Sequence, residues 1–322
     1  MSQRTVVAIG CSTVPDYAFL IPLTSLMWRE VAGFETFTVL VGDSRWVREP
    51  ALVVVANAMF DHLGGNHFTI ATLPQYPEGT VAQNIRQHAA QNIKFADDTW
   101  IMTADADLWP LRGSFYQAHV DTDKRAVIYY SNGDHFQGKR DVLAKFDAAV
   151  PVPFQSIPTC HVAMRAKTWR EVYAITPGEL TKSTKKTLDG MEPWLSRFAP
   201  EHQGLARWCC DQWYLTERLC RQEWFPEFDM PKSPTPPQGR VLQSEHVALI
   251  ERYGHPPVDR LDRGAPQAWM QAFDKNRYVD AHLHKAPWED AQWKTLLKII
   301  DVLLPKHSEW ARQYRENFVR AL

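Results

Sequence analysis

Short, wholly apolar runs alternate with stretches of helical period along the first hundred residues. Val6 to Ile9 is an apolar run closing at Gly10, the pattern of a buried first strand. The loop Cys11-Ser-Thr-Val-Pro-Asp-Tyr17 follows. Pro22 then stands near the start of a helix that carries Leu23, Leu26 and Met27 on one face and stops at Gly33. Thr36 to Val41 is β-branched and apolar and closes at Gly42-Asp43, so the opening predicts strand, helix, strand. Ala51 to His62 fits either a helix or a buried strand with a turn, and Phe68 to Leu73 predicts a strand. From Thr80 a capping-box pattern with Gln83 leads into a helix on which Val81, Ile85, Ala89 and Ile93 share a face. Trp100 to Ala104 is a further strand, and it runs straight into Asp105-Ala106-Asp107.

The alternation continues more loosely. Ala126 to Tyr130 and His161 to Arg165 read as strands; Lys167 to Tyr173, Leu188 to Phe198 and Cys209 to Arg221 read as helices. Phe225 to Arg240 holds Pro226, Pro231, Pro234, Pro236 and Pro237 and reads as a rigid surface loop. Two amphipathic helices, Trp288 to Leu304 and His307 to Ala321, close the chain and have apolar faces to pack on the core or on a partner. The class is α/β, without internal repeats.

Composition narrows the function. The 322 residues include 36 Lys and Arg against 37 Asp and Glu, a net charge of -1, and 45% are hydrophobic. Long disorder and a polyanion-binding surface are both excluded, and no nucleic-acid partner is expected. A small phosphate pocket is not, because a diphosphate needs only a few local cations or one metal. Five cysteines, odd in number and without CxxC spacing, imply reduced thiols and no structural zinc. No apolar stretch reaches the length of a membrane span and the N-terminal run is too short for a signal peptide, so a cytoplasmic protein without a transmembrane segment is expected. Thirteen Trp are present, eight of them after residue 190.

Three segments carry candidate chemistry. Asp105 and Asp107 stand at the carboxyl end of a buried strand, where open α/β sheets collect ligands, and a DxD pair can place two oxygens on one hard cation. A second DxD, Asp121-Thr122-Asp123, lies in a polar stretch and reads as background. His282, with Lys285 three residues on and Pro287-Trp288 after it, could complete a two-carboxylate metal site and set a cation beside phosphate oxygens. Asp211-Gln212 opens an expected helix; an acidic residue there is ordinary dipole chemistry, yet a carboxylate and an amide could also bind sugar hydroxyls.

The order of these pieces resembles the retaining glycosyltransferases of the GT-A fold, in particular the glycogenin-like and bacterial galactosyltransferase-like group. VVAIGCSTVPDY, Arg86, DAD at Asp105 to Asp107, DQ at Asp211-Gln212 and HLHKAPW at His282 to Trp288 fill the places of that group's motifs over about residues 5 to 288. The interval from DAD to DQ is longer than in the group, with an insertion within 130–207. The last element is shorter and lacks a glycine, which leaves the choice between His282 and His284 open.

The resemblance implies a Rossmann-like fold for nucleotide-diphospho-sugar transfer, with a mixed central sheet flanked by helices. Its catalytic domain would span 1–288, divided into a nucleotide-binding half to about 125 and an acceptor half, with a C-terminal helical extension over 289–322. The implied activity is metal-dependent transfer of a sugar from a UDP or GDP sugar, UDP favoured, to a carbohydrate or other hydroxyl acceptor, with retention. By the same resemblance Asp105, Asp107 and His282 hold Mn²⁺ or Mg²⁺. Ile9, Cys11, Thr13 and Tyr17 hold the nucleoside, Arg86 and Asp105 reach the donor, and Lys285 faces the diphosphate. Asp211 and Gln212 lie near the anomeric carbon or the acceptor hydroxyl. Trp213, beside that pair, and His135, in the expected loop Gly133-Asp134-His135, are the acceptor candidates; Trp293 and Trp310 are expected to be structural. Two alternatives stay open: an inverting transferase with Asp211 as base, and a non-catalytic carbohydrate-binding protein.

Overall fold

The computed structural model describes residues 4–63, 68–92, 94–120, 122–130, 138–227, 241–251, 260–261, 278–283 and 285–322. Along the chain, β1 (Thr5–Cys11) leads to α1 (Pro15–Ala32), β2 (Glu35–Val41), α2 (Pro50–Leu63), β3 (Phe68–Ala71) and α3 (Glu78–Ile85). A 3₁₀ segment, Arg86–Gln91, precedes β4 (Trp100–Ala104), β5 (Leu108–Pro110), α4 (Gly113–Gln117), β6 (Ala126–Tyr130) and α5 (Lys139–Asp147). β7 (Val162–Arg165), α6 (Ala166–Tyr173), α7 (Leu180–Leu195) and α8 (Pro200–Cys220) follow. β8 (Val241–Gln243), β9 (Val247–Glu251), β10 (Arg260–Leu261), β11 (Asp280–His282), α9 (Asp290–Leu303) and α10 (Ser308–Ala321) complete the order.

Several helices depart from the sequence pattern, each for a local reason. α1 begins at Pro15, where a missing N–H costs nothing, and carries Pro22 buried in its interior instead of near its start; it ends as expected at Gly33, whose φ of 67° is a left-handed cap. The open choice at Ala51 to His62 resolves as the helix α2. The helix expected from Thr80 starts two residues earlier, at Glu78, and gives way after Ile85 to the tighter 3₁₀ segment, all six residues of which are buried. Ile93, expected on that helix face, lies outside the described residues. α8 begins nine residues before the expected Cys209, so Asp211-Gln212 sits mid-helix, away from the dipole's positive end.

The chain divides into two compact units. One comprises Val6–Ala82, Asp105–His119 and Pro256–Leu322. Its β1, β2 and β3 are parallel in the order β3-β2-β1, with Val6 opposite Glu35 and Thr38 opposite Phe68. A small second sheet sets β11 between β10 and β5, antiparallel to β5 and in a register that places His282 opposite Leu108. α9 and α10 belong to this unit. Phe19 of α1 sits in an aromatic cluster with Trp288, Trp293, Tyr314 and Phe318, ring centroids 5.0 to 5.9 Å away, which anchors the C-terminal helices as the apolar faces predicted.

Gly10 of β1 lies hard against α3: a Cβ there would stand 1.9 Å from the Ala82 carbonyl oxygen. Backbone cannot rotate out of the way, so Gly10→Ala is expected to cost about 1–3 kcal/mol. Thermal denaturation should show a midpoint several degrees lower; an unchanged midpoint would mean that the strand and helix separate freely.

The other unit comprises Met1–Thr5, Gln83–Ala104 and Val120–His255. β7 pairs antiparallel with β4 and β6, β6 pairs parallel with β9, and β9 pairs antiparallel with β8. The mixed α/β class expected from the sequence is therefore present, and the interval 130–207 holds α5, β7, α6, α7 and the first turns of α8. Among the described residues no helix is long and apolar enough to cross a membrane.

Candidate functional site

In the first unit the chemistry gathers at the ends of β1 and β5. The Asp105-Ala106-Asp107 turn leaves β4 and enters β5, and α1 fixes it: Thr24 Oγ1 donates to the Ala106 carbonyl at 2.7 Å and itself accepts from Trp109 Nε1 at 2.9 Å. Asp107 is 6% exposed. Its carbonyl accepts the Leu283 amide at 2.8 Å, which extends the β5–β11 pairing and delivers His282 to the carboxylate. His282 Nε2 and Asp107 Oδ2 stand 3.2 Å apart, across 175 residues of sequence. Asp105 is half-buried two residues earlier. Among the described residues no group of three His, Cys, Asp or Glu side chains surrounds one point as a complete metal cage.

Neighbouring groups frame this pair. Cys11 is buried at the end of β1, and burial first, then the Asp107 charge, push its thiol well above the usual range, so it stays neutral. The Asp16 carboxylate accepts the Ala286 amide at 2.7 Å and ties the segment after His282 to the first turn of α1. Lys285 is exposed on that segment, and Tyr17 is half-buried on α1. Thr13 donates to Glu78 Oε2 at 2.5 Å, and Glu78 also pairs with Arg45. Ile9 is fully buried, which leaves only its backbone for a ligand. His284 and His135 lie outside the described residues.

The second unit holds a buried ionic cluster on the 3₁₀ segment and α8. Arg86 is 4% exposed and Asp211 is 1% exposed. Arg86 Nη2 meets Asp211 Oδ2 at 3.0 Å and Thr159 Oγ1 at 2.8 Å, while Thr159 donates to the same carboxylate oxygen at 3.0 Å. Arg86 Nη1 donates to the carbonyl of Ala104, the last residue of β4, and Nε donates to Gln83. The guanidinium therefore holds the strand end, the helix turn and Thr159 together. Gln87 adds a bond to the Asp211 carbonyl at 3.1 Å and accepts from the Tyr173 hydroxyl. Burial first, then Tyr214 and Asp211, raise the Tyr173 phenol well above its ordinary range, so it remains a donor. His88 is pushed down to about 3 by burial and is a neutral core imidazole.

Gln212 is half-buried, and its Oε1 accepts from Ser156 at 3.3 Å. Trp213 contradicts its expected role. It is 3% exposed, stacked between Phe154 at 5.3 Å and Phe198 at 5.2 Å with Trp194 on its edge, and offers no face to a sugar. The exposed indole of α8 is Trp208, at 59%. Sequence reasoning also passed over Thr24, Thr159 and Ser156, hydroxyls without a local motif whose partners lie 52 to 85 residues away. His161 is buried just before β7, with Nδ1 against the Thr103 carbonyl at 3.0 Å.

Away from these clusters, a groove of about 530 Å³ runs between α2 and α10, lined among others by Asn57, Asp61, His62, Trp310, Asn317 and Arg320. No sequence-predicted ligand contact lines it. Trp310 packs there on His62 at 4.1 Å and on Tyr314 at 5.6 Å, and Trp293 is buried, as the structural roles expected for both require.

No protein-family model and no curated protein matches the sequence. Solved structures do resemble it. The galactosyltransferase LgtC, in complex with donor and acceptor sugar analogs, aligns over 94% of this chain and 96% of its own, at 12% identity and a TM-score of 0.46. The bifunctional glycosyltransferase WbbM aligns over 98% of this chain and 51% of its own, at 9% identity and a TM-score of 0.44. The glycosyltransferase GlyE of Streptococcus pneumoniae TIGR4 aligns over 95% of this chain and 65% of its own, at 12% identity and a TM-score of 0.42.

Proposed function

We propose that the chain is a metal-dependent glycosyltransferase that moves a sugar from a nucleoside-diphosphate sugar, a UDP-sugar in the first instance, to a hydroxyl of a glycan or similar acceptor. The observation that carries this reading is the approach of Asp107 and His282. A carboxylate oxygen and an imidazole nitrogen are both ligands that Mg²⁺ or Mn²⁺ accepts, and one ion would need the two atoms about 3 Å from each other. The 3.2 Å between Asp107 Oδ2 and His282 Nε2 fits that spacing. Asp105 does not join them as a third ligand in the described arrangement, so Asp107 and His282 would hold the ion from the protein side, with diphosphate oxygens and water as its other ligands. The ion would supply charge neutralisation on the leaving diphosphate. Lys285 would face the same oxygens, and Thr13, Tyr17 and the Ile9 and Cys11 backbone would hold the nucleoside.

The buried cluster refines the remaining roles. Arg86 is engaged at Nε, Nη1 and Nη2 by protein acceptors, which favours a positioning role over direct contact with the donor. Asp211 Oδ2 already accepts two hydrogen bonds, which suits holding the helix turn better than taking up an acceptor proton. That favours retention over an inverting base mechanism. The anomeric proton of the first-formed product, observed by NMR, decides between them.

A UDP-sugar with Mn²⁺ at about a hundred times its Kd should stabilise the protein by about 2.7 kcal/mol. Thermal denaturation should then shift upward by several degrees. With EDTA in place of Mn²⁺ the shift should vanish; an equal shift under both conditions would remove the metal from the reading.

A further inference from the structure

α8 presents two indoles, and they do different things. Ala206, Cys210, Trp213 and Glu217 form its buried face, whereas Leu205 and Trp208 stand exposed in water. Among the described residues no aromatic ring or cation packs on Trp208. At 100° per residue, Asp211 lies about 60° to one side of Trp208 and Gln212 about 40° to the other, roughly 4.5–6 Å further along the axis. Helical side chains lean toward the N-terminus, so that of the half-buried Gln212 leans back toward the turn that carries Trp208, whereas the Asp211 carboxylate is held in the buried cluster by Arg86 and Thr159. The exposed indole thus lies about one turn before the Gln212 amide, with Leu205 extending its apolar edge on the same side.

The surroundings limit what can sit there. Arg207 forms a two-point ion pair with Glu192, at 2.6 and 3.1 Å, on the residue next to Trp208, and Ser156 bonds Gln212 beyond it. Leu205 and Trp208 are the exposed large apolar residues of α8, an area far smaller than a protein partner needs. A hexopyranose fits it: its C–H face covers an indole while its hydroxyls reach an amide and a hydroxyl nearby.

The geometry points to Trp208 as the stacking platform for the acceptor's hexopyranose ring, with Gln212 and Ser156 meeting its hydroxyls. This rests on the glycosyltransferase reading and adds to it the acceptor contact that Trp213, buried in the core, does not supply. Trp208 sets acceptor affinity; it takes no part in bond making.

The test uses the full chain labelled with 5-fluorotryptophan, the Trp208 resonance being assigned by its loss in Trp208→Phe. Methyl α- and β-glycosides of glucose, galactose, mannose and N-acetylglucosamine are added singly. The expected result is a saturable ¹⁹F shift of the Trp208 signal with at least one glycoside, while the buried Trp213 signal stays in place. A Trp208 resonance indifferent to all of them overturns the proposal. With UDP-sugars and Mn²⁺, Trp208→Ala should raise the acceptor KM about tenfold with kcat little changed, and Trp208→Phe should recover most of the loss. An unchanged KM, or a loss confined to kcat, counts against it. If the wild-type chain consumes no UDP-sugar yet the Trp208 signal shifts, sugar stacking stands and the transferase reading falls.

Discussion

Replacing Asp107 by Asn should reduce sugar transfer by about a thousandfold while leaving the fold in place. Asn has the same shape, and the contact that fixes the turn, Leu283 N–H to the Asp107 carbonyl, belongs to the backbone and survives. Only the charge and one acceptor oxygen next to His282 Nε2 are lost. Removing one preorganised electrostatic element from an active site typically costs 10²–10³ in rate, and on the proposed function Asp107 would hold the ion that neutralises the leaving diphosphate, which puts the loss at the upper end of that range. Circular dichroism and the melting midpoint should stay close to wild type. Asp123→Asn is the matched control, because Asp123 belongs to the other DxD and is exposed beside Lys124; it should change neither rate nor stability. If Asp107→Asn keeps its turnover, the DAD turn has no part in the mechanism. If it instead unfolds the protein, the Asp107–His282 contact is structural, and the assignment of the site to this turn fails with it.

The strands that carry this site were legible because burial on both faces leaves an unbroken apolar run. Val6 to Ile9, Thr36 to Val41 and Trp100 to Ala104 all form strands, and the DAD turn follows from the last of them. β5 and β11 were not legible, being three residues each and specified by pairing with one another instead of by local pattern. The Asp107–His282 approach is a consequence of that pairing, so motif order could suggest it but no local rule could derive it. α8 teaches a different lesson. Counted from Pro200, the spacing of Ala206, Cys210 and Trp213 is i, i+4, i+7, which turns Trp213 inward and Trp208 outward. Adjacency to Asp211-Gln212, the ground for favouring Trp213, does not say which face of the helix carries the indole, and the structure places it on the buried one.

Arg86→Met should destabilise the protein by about 3–5 kcal/mol. The reason lies in what it leaves behind. Asp211 is buried, and without the guanidinium its carboxylate keeps only Thr159 among the donors to Oδ2 identified above. A charge stranded in that position costs more than the ion pair itself gains. At about 2–4 °C per kcal/mol for a large domain, the melting midpoint should fall by roughly 6–20 °C. Arg86→Lys should not rescue it, because one ammonium cannot span the Ala104 carbonyl, Thr159 and Asp211 as the planar fork does. The decisive measurement is the double variant Arg86→Met with Asp211→Asn. Removing both charges removes the stranded carboxylate, so the double variant should melt above Arg86→Met alone, a coupling that additive contributions would not produce. Additive losses would mean that each side chain stabilises through packing only, and the positioning role assigned to Arg86 would have to be abandoned.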